Sequence, residues 1–125
     1  MAINNLEQKR LLYAMKESKG KNKDYGNMVK KVPAYIQKNG FPYTMAYLQG
    51  EKNGKAIFST IYKWHCDNNV NVTNLISNAS SETAFLEKIL DDADGNLMRA
   101  LTLETFSLMK SLRRFAKSDG DETAE

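Results

Sequence analysis

Residues 96–117, NLMRALTLETFSLMKSLRRFAK, decide the fold class. Placed at about 100° per residue, Met98, Leu101, Thr105, Leu108, Met109, Leu112, Phe115 and Ala116 gather on one side of a helix roughly 33 Å long. In a chain of 125 residues and 14.2 kDa, which has room for one core, a helix of that length is expected to run through its centre. Opposite the apolar stripe lie Arg99, Leu103, Phe106, Lys110, Arg113 and Lys117, with Arg114 at one edge. A basic face that includes a leucine and an aromatic ring needs cover, either from another helix of the same chain or from a partner. Leu103 and Phe106 are therefore candidates for a protein interface.

Working back along the chain, the same period returns. Tyr25, Met28, Val29, Val32 and Ile36 share a helical face between Asp24, a plausible N-cap, and the stop at Asn39-Gly40. Pro33 lacks an amide hydrogen and crowds the preceding turn, so a kink or break is expected near Lys31-Val32. Pro42 suits the first turn of a short helix over 42–49, and the loop Gly50 to Gly54 ends it. A helix over 55–67 places Ile57, Phe58, Ile61, Trp64 and His65 on one face, with Lys55, Ser59, Thr60 and Lys63 towards the other. Residues 67–81, rich in Asn and Ser, read as a loop. Ser81 can cap a helix through Ala93 that buries Phe85, Leu86, Ile89 and Leu90, and Gly95 can end it. Near the start, residues 5–18 open with Asn4 three positions before Glu7, a capping-box pattern, although the apolar residues there are spread around the helix. The expected architecture is all-α: a compact bundle of five to six helices with a long C-terminal helix. Residues 1–117 form one domain and 118–125 an acidic tail with nothing to bury.

Composition narrows the function. With 42% hydrophobic and 26% charged residues the chain is expected to fold as a soluble protein. No segment approaches the ~18 apolar residues of a membrane span, and residues 1–11 are too polar for a signal peptide. A cytoplasmic protein without membrane contact is expected. The single cysteine, Cys66, and single histidine, His65, exclude an internal disulfide and a four-ligand Cys/His zinc site within one chain. No cofactor or metal is indicated. Asn71-Val72-Thr73 matches a glycosylation acceptor by accident. Asp91, Asp92 and Asp94 precede Gly95, but aligning that glycine with the sixth position of a calcium loop puts Leu90 first and Leu101 twelfth, where oxygen ligands are required.

Catalytic material is poor. His65 and Cys66 are sequence neighbours about 100° apart around a helix, unsuited to act as a nucleophile and base pair. His65 reads instead as a core or edge residue beside Ile61 and Trp64. The charges say more. Residues 1–63 carry 12 Lys+Arg against 4 Asp+Glu, net +8, whereas residues 64–125 carry 6 against 11, net −5. On the second helix Lys23, Lys30, Lys31 and Lys38 cluster opposite the apolar face, around the small Ala34. Such a face either solubilises a helix or approaches a phosphate backbone.

Two stretches carry a family resemblance. Residues 25–41, YGNMVKKVPAYIQKNGF, followed by Thr44-Met45-Ala46-Tyr47-Leu48, and later Met98-Arg99, Thr102, Glu104 and Leu112-Arg113-Arg114-Phe115-Ala116, resemble the small subunit of the type III-B CRISPR RAMP-module effector complex, the fifth component of the Cmr assembly. Phe41 stands where leucine is usual, and Ser111 where many members carry Trp. The resemblance implies an all-helical, non-catalytic protein of antiviral defence. It would assemble in several copies beside RAMP-type backbone subunits that hold guide RNA and cut target RNA. Its copies would form a filament along the guide-target duplex and help to secure the target strand. In that setting Lys23, Lys30, Lys31, Lys38, Arg99, Lys110, Arg113, Arg114 and Lys117 would contact RNA or neighbouring subunits. The rival readings are a stand-alone helical nucleic-acid-binding regulator and a protein-interaction adaptor.

Overall fold

The computed structural model describes residues 5–67, 75–76, 79–92 and 95–117. Six helices follow one another: α1 (Asn5–Ser18), α2 (Lys23–Asn39), α3 (Phe41–Gly50), α4 (Lys55–Cys66), α5 (Glu82–Leu90) and α6 (Asn96–Phe115), with no strand among the described residues. The expected all-α bundle with a long C-terminal helix is what forms. The proposed Asn4 cap, the Asn71-Val72-Thr73 match, Asp94 and the acidic tail lie outside the described residues.

Every helix contributes to one buried cluster. Ala14 enters from α1, Val29 and Val32 from α2, Met45 and Leu48 from α3, Ile57, Phe58, Ile61 and Trp64 from α4, Phe85 and Ile89 from α5, and Leu101, Leu108 and Leu112 from α6. Helix α6 packs against α1, α2 and α3, while α3 also meets α4 and α5. The longest helix, expected at the centre, keeps one side exposed, and the short α3 is the helix that meets α2, α4, α5 and α6.

Local chemistry places the boundaries. Asn22, two residues ahead of the expected Asp24, caps α2: its side-chain carbonyl accepts from the Tyr25 amide at 3.1 Å. Pro33 does not divide α2, which continues from Lys23 to Asn39. Burial of Val29, Val32 and Ile36 on both sides of the proline favours one continuous apolar stripe over two short helices. Gly40 alone separates α2 from α3, with φ 88° and ψ 159°, a region essentially restricted to glycine. Its amide donates to the Ile36 carbonyl at 2.7 Å and its carbonyl accepts from Thr44 at 3.1 Å, so one residue ends one helix and starts the next. Ser81 caps α5 as expected, accepting from the Ala84 amide. That helix ends at Leu90, before Gly95, whose left-handed φ of 79° instead precedes α6.

Some expected faces shift. Leu90 is exposed rather than buried, because α5 stops there, and Phe115 is exposed at the last turn of α6. Thr60, expected on the polar side of α4, is fully buried beneath α1 and α2. The Tyr13 hydroxyl donates to the Thr60 carbonyl at 2.6 Å, and the hydroxyls of Tyr25 and Thr60 lie 2.7 Å apart. Glu17 accepts from Thr60 Oγ1 at 3.0 Å and from Lys63 Nζ at 2.9 Å.

Candidate nucleic-acid interface

Helix α2 presents its basic residues as a consequence of burying the others. Tyr25, Met28, Val29, Val32 and Ile36 face inwards, leaving Lys23, Lys30, Lys31, Ala34 and Lys38 exposed on the far side. The one acid on this helix is Asp24, in its first turn. Among the described residues none of the four lysines is engaged in an ion pair, so their ammonium groups are available to an anionic partner.

The basic side of α6 is less uniform. Arg99, Lys110, Arg113, Arg114 and Lys117 are exposed. Arg99 Nη1 donates to Asn96 Oδ1 at 3.2 Å. Lys110 and Arg114 border a cleft of about 270 Å³ shared with Glu7, Arg10 and Leu11 of α1 and floored by buried Ser111. Lys117 borders another cleft, of about 390 Å³, with Phe115, Met15, Lys19 and Lys21. Lys19 and Lys21 therefore extend the positive end of α6, an association invisible in the sequence because the two segments are nearly a chain length apart. The lysine-rich turn Lys19-Gly20-Lys21-Asn22-Lys23 was the available signal. The two apolar members of the face separate. Leu103 stays 61% exposed, whereas Phe106 is half-buried against the core.

Beneath α6 lies an ionic anchor that hydrophobic period alone passes over. Glu104 is buried on the core side and receives Arg10 at two points, Nε to Oε2 at 2.7 Å and Nη2 to Oε1 at 2.8 Å, and Trp64 Nε1 at 3.0 Å. Burial raises the Glu104 carboxyl, but the bonds from Arg10 and Trp64 outweigh that and hold it below the usual carboxylate range. The Arg10 guanidinium is raised in turn, chiefly by its hydrogen bond to Glu104. This carboxylate is committed to holding α1, α4 and α6 together.

The remaining titratable groups are structural in placement. His65 is fully buried, with Nε2 2.9 Å from Thr105 Oγ1 and its ring stacked on Phe85 at 6.2 Å and edge-on to Phe41 at 6.4 Å. Desolvation pushes it down to about 4, so it is neutral at pH 7. The expectation of a core histidine is met. Burial pushes the neighbouring Cys66 thiol up to about 12, far from a reactive thiolate. Among the described residues no cluster of His, Cys, Asp and Glu could hold a metal ion, and no helix is long and apolar enough to cross a membrane.

The family model described as CRISPR-associated protein (Cas_Cmr5) matches residues 6–119, from the first turn of α1 to just beyond α6. Comparisons with curated proteins and with solved structures returned no match. Because the match covers all six helices and both basic faces, the chain belongs to the Cas_Cmr5 family, the small subunit of type III-B CRISPR-Cas.

Proposed function

We propose that this small subunit acts without catalysis of its own, as a filament-forming component that holds guide-target RNA beside the RAMP-type backbone. The observation that carries the reading is the exposed, unpaired lysine quartet of α2, Lys23, Lys30, Lys31 and Lys38, on a chain of this family. Lysines are point charges suited to phosphates, and they leave sequence selection to guide-target pairing. Each contact is weak, but copies aligned along one strand raise the effective concentration of the next contact. Arg99, Lys110, Arg113, Arg114 and Lys117 add charge either to the same RNA path or to the junction with another subunit. The net +8 half of one copy and the net −5 half of the next suit head-to-tail growth, in which a heterologous contact repeats without closing. In this reading residues 1–117 form one helical domain, residues 118–125 an acidic tail, and the complex works in the cytoplasm.

The test is charge reversal in the reconstituted complex. Lys30→Glu with Lys31→Glu should leave folding intact, reduce retention of target RNA, and flatten the dependence of log affinity on log salt by about 0.7–0.9 per lost phosphate contact. Unchanged retention would remove α2 from the RNA path. Salt-sensitive duplex binding by the lone chain, with no subunits recovered beside it, would favour the stand-alone regulator; a protein partner recovered without RNA would favour the adaptor.

A further inference from the structure

The turn at Gly40 folds α3 back beside α2 and opens a groove of about 190 Å³ lined by Tyr35, Asn39, Tyr43, Thr44 and Tyr47. Three tyrosines meet there, yet the core uses none of them fully. Tyr43 is 64% exposed, Tyr47 is exposed, and Tyr35 is half-buried, bracing Tyr47 edge-on at 5.4 Å between ring centroids. The neighbouring Tyr35 is also the main reason the Tyr47 hydroxyl is harder to ionise than usual. At the inner wall Thr44 is buried, and its Oγ1 has no hydrogen-bond partner among the described residues. Two exposed rings, a half-buried third and an exposed side-chain amide around one concavity are the composition of a ligand groove.

The charges around the groove select the ligand. Lys31 and Lys38 lie one turn before and one turn after Tyr35, about 40° and 60° from it around α2, so the ring is flanked by two exposed ammonium groups on one face. The acid bearing on the rings is Glu51, which acts on Tyr47 from the far end of α3. Aromatic faces framed by cations are what single-stranded nucleic acid requires: phosphates take the lysines and a base takes the ring. The volume falls below the ~300 Å³ at which pockets for drug-sized molecules begin, and suits one planar ring system.

We propose that this groove is a stacking site for an unpaired base of single-stranded RNA, with Tyr43 and Tyr47 as the platform and Lys31 and Lys38 holding the adjoining phosphates. The assignment rests on the RNA-holding reading above and adds a site to it. The exposed Asn39 amide borders the same groove, where the donors and acceptors of any base present themselves. The platform is therefore tolerant of sequence. It takes bases left unpaired and adds to the electrostatic hold a part that salt does not screen.

The experiment uses the full chain and two fluorescein-labelled strands of equal length, oligoadenylate and an abasic ribose-phosphate strand, read by anisotropy at low salt. The unaltered protein should prefer oligoadenylate by about 5- to 150-fold, the value of one stacked base. Tyr43→Ala with Tyr47→Ala should abolish the preference and leave abasic binding unchanged, while Tyr43→Phe, which keeps the ring, should retain it. Lys31→Glu with Lys38→Glu should weaken both strands alike. Equal binding of the two strands by the unaltered chain, or absence of binding to either, overturns the stacking site; the RNA-holding reading is judged separately, by target retention in the complex. Tyrosine variants that fail to join the complex while their preference for oligoadenylate persists would assign the groove to a protein neighbour and likewise overturn the proposal.

Discussion

Arg10 and Glu104, separated by 94 positions, close a two-point ion pair with Nε–Oε2 at 2.7 Å and Nη2–Oε1 at 2.8 Å. The same carboxylate takes the indole N–H of Trp64 at 3.0 Å, so three helices converge on one side chain. Removing one partner strands the other. Arg10→Met should lower stability by about 2 kcal/mol, because a largely buried carboxylate is left with one neutral donor. Glu104→Gln, which keeps an acceptor for Trp64, should cost less than Glu104→Ala. Urea denaturation of the three variants decides the order.

His65 gives the fold a defined acid weakness. Its folded value of about 4 lies below the ordinary 6.5, so between these values the unfolded chain binds the proton and the folded chain does not. The contribution of neutral His65 is complete above pH 6.5 and declines as pH falls towards 4, by about 3 kcal/mol in all. Denaturation midpoints should therefore fall between pH 7 and pH 5 in the unaltered protein and much less in His65→Gln. Glu104, whose folded value is depressed, acts in a lower window. Its contribution is present above the unfolded carboxyl value near 4.3 and is lost as pH falls through the folded value.

Two glycines are needed for different reasons. A Cβ on Gly54 would stand 2.8 Å from the Leu48 carbonyl oxygen and 2.9 Å from the Leu48 Cα, so the backbone linking α3 to α4 would have to move. Gly40 has space around it but holds a positive φ of 88°. Gly54→Ala and Gly40→Ala should each cost about 1–3 kcal/mol, the first by overpacking and the second by backbone strain. Thermal unfolding should show both melting below the parent. A mild effect at Gly54 would mean that the linker yields readily.

Leu103 and Phe106, one turn apart on α6, should respond in opposite ways. Phe106→Ala should lower stability by about 1–2 kcal/mol, because the ring packs on the core. Leu103→Glu, at a position 61% exposed, should leave stability within about 0.5 kcal/mol and instead reduce co-assembly with other subunits. Calorimetry beside size-exclusion chromatography of the reconstituted complex separates the two. Normal assembly of Leu103→Glu would leave this leucine without an interface role.

Much of the architecture was legible because helix periodicity is a local property. The spacing of Leu101, Leu108 and Leu112, or of Val29, Val32 and Ile36, announces a buried face whatever lies opposite, and Ser81 and Gly40 punctuate through their own backbone preferences. The same locality explains how Lys23, Lys30, Lys31 and Lys38 could be placed on one exposed side. They are defined by what their own helix buries. At Pro33 the alternative of a break does not occur, because the cost of a missing amide is local, whereas the burial that keeps α2 continuous comes from α3, α4 and α6.

What sequence alone determined, then, is the helical class, the order of the helices, the place of His65 on the apolar face of its helix and the basic outer face of α2. Tertiary structure decided which polar side chains became interior. Thr60 and Glu104 turned inwards because Tyr13, Tyr25, Arg10 and Trp64, all distant in the chain, supply their hydrogen bonds. It also decided that Phe106 leans on the core while Leu103 does not, and that Tyr35, Tyr43 and Tyr47 line one groove. A helix phase fixes direction about a single axis, but only the packing of two axes determines whether an outward side chain meets water or a neighbour.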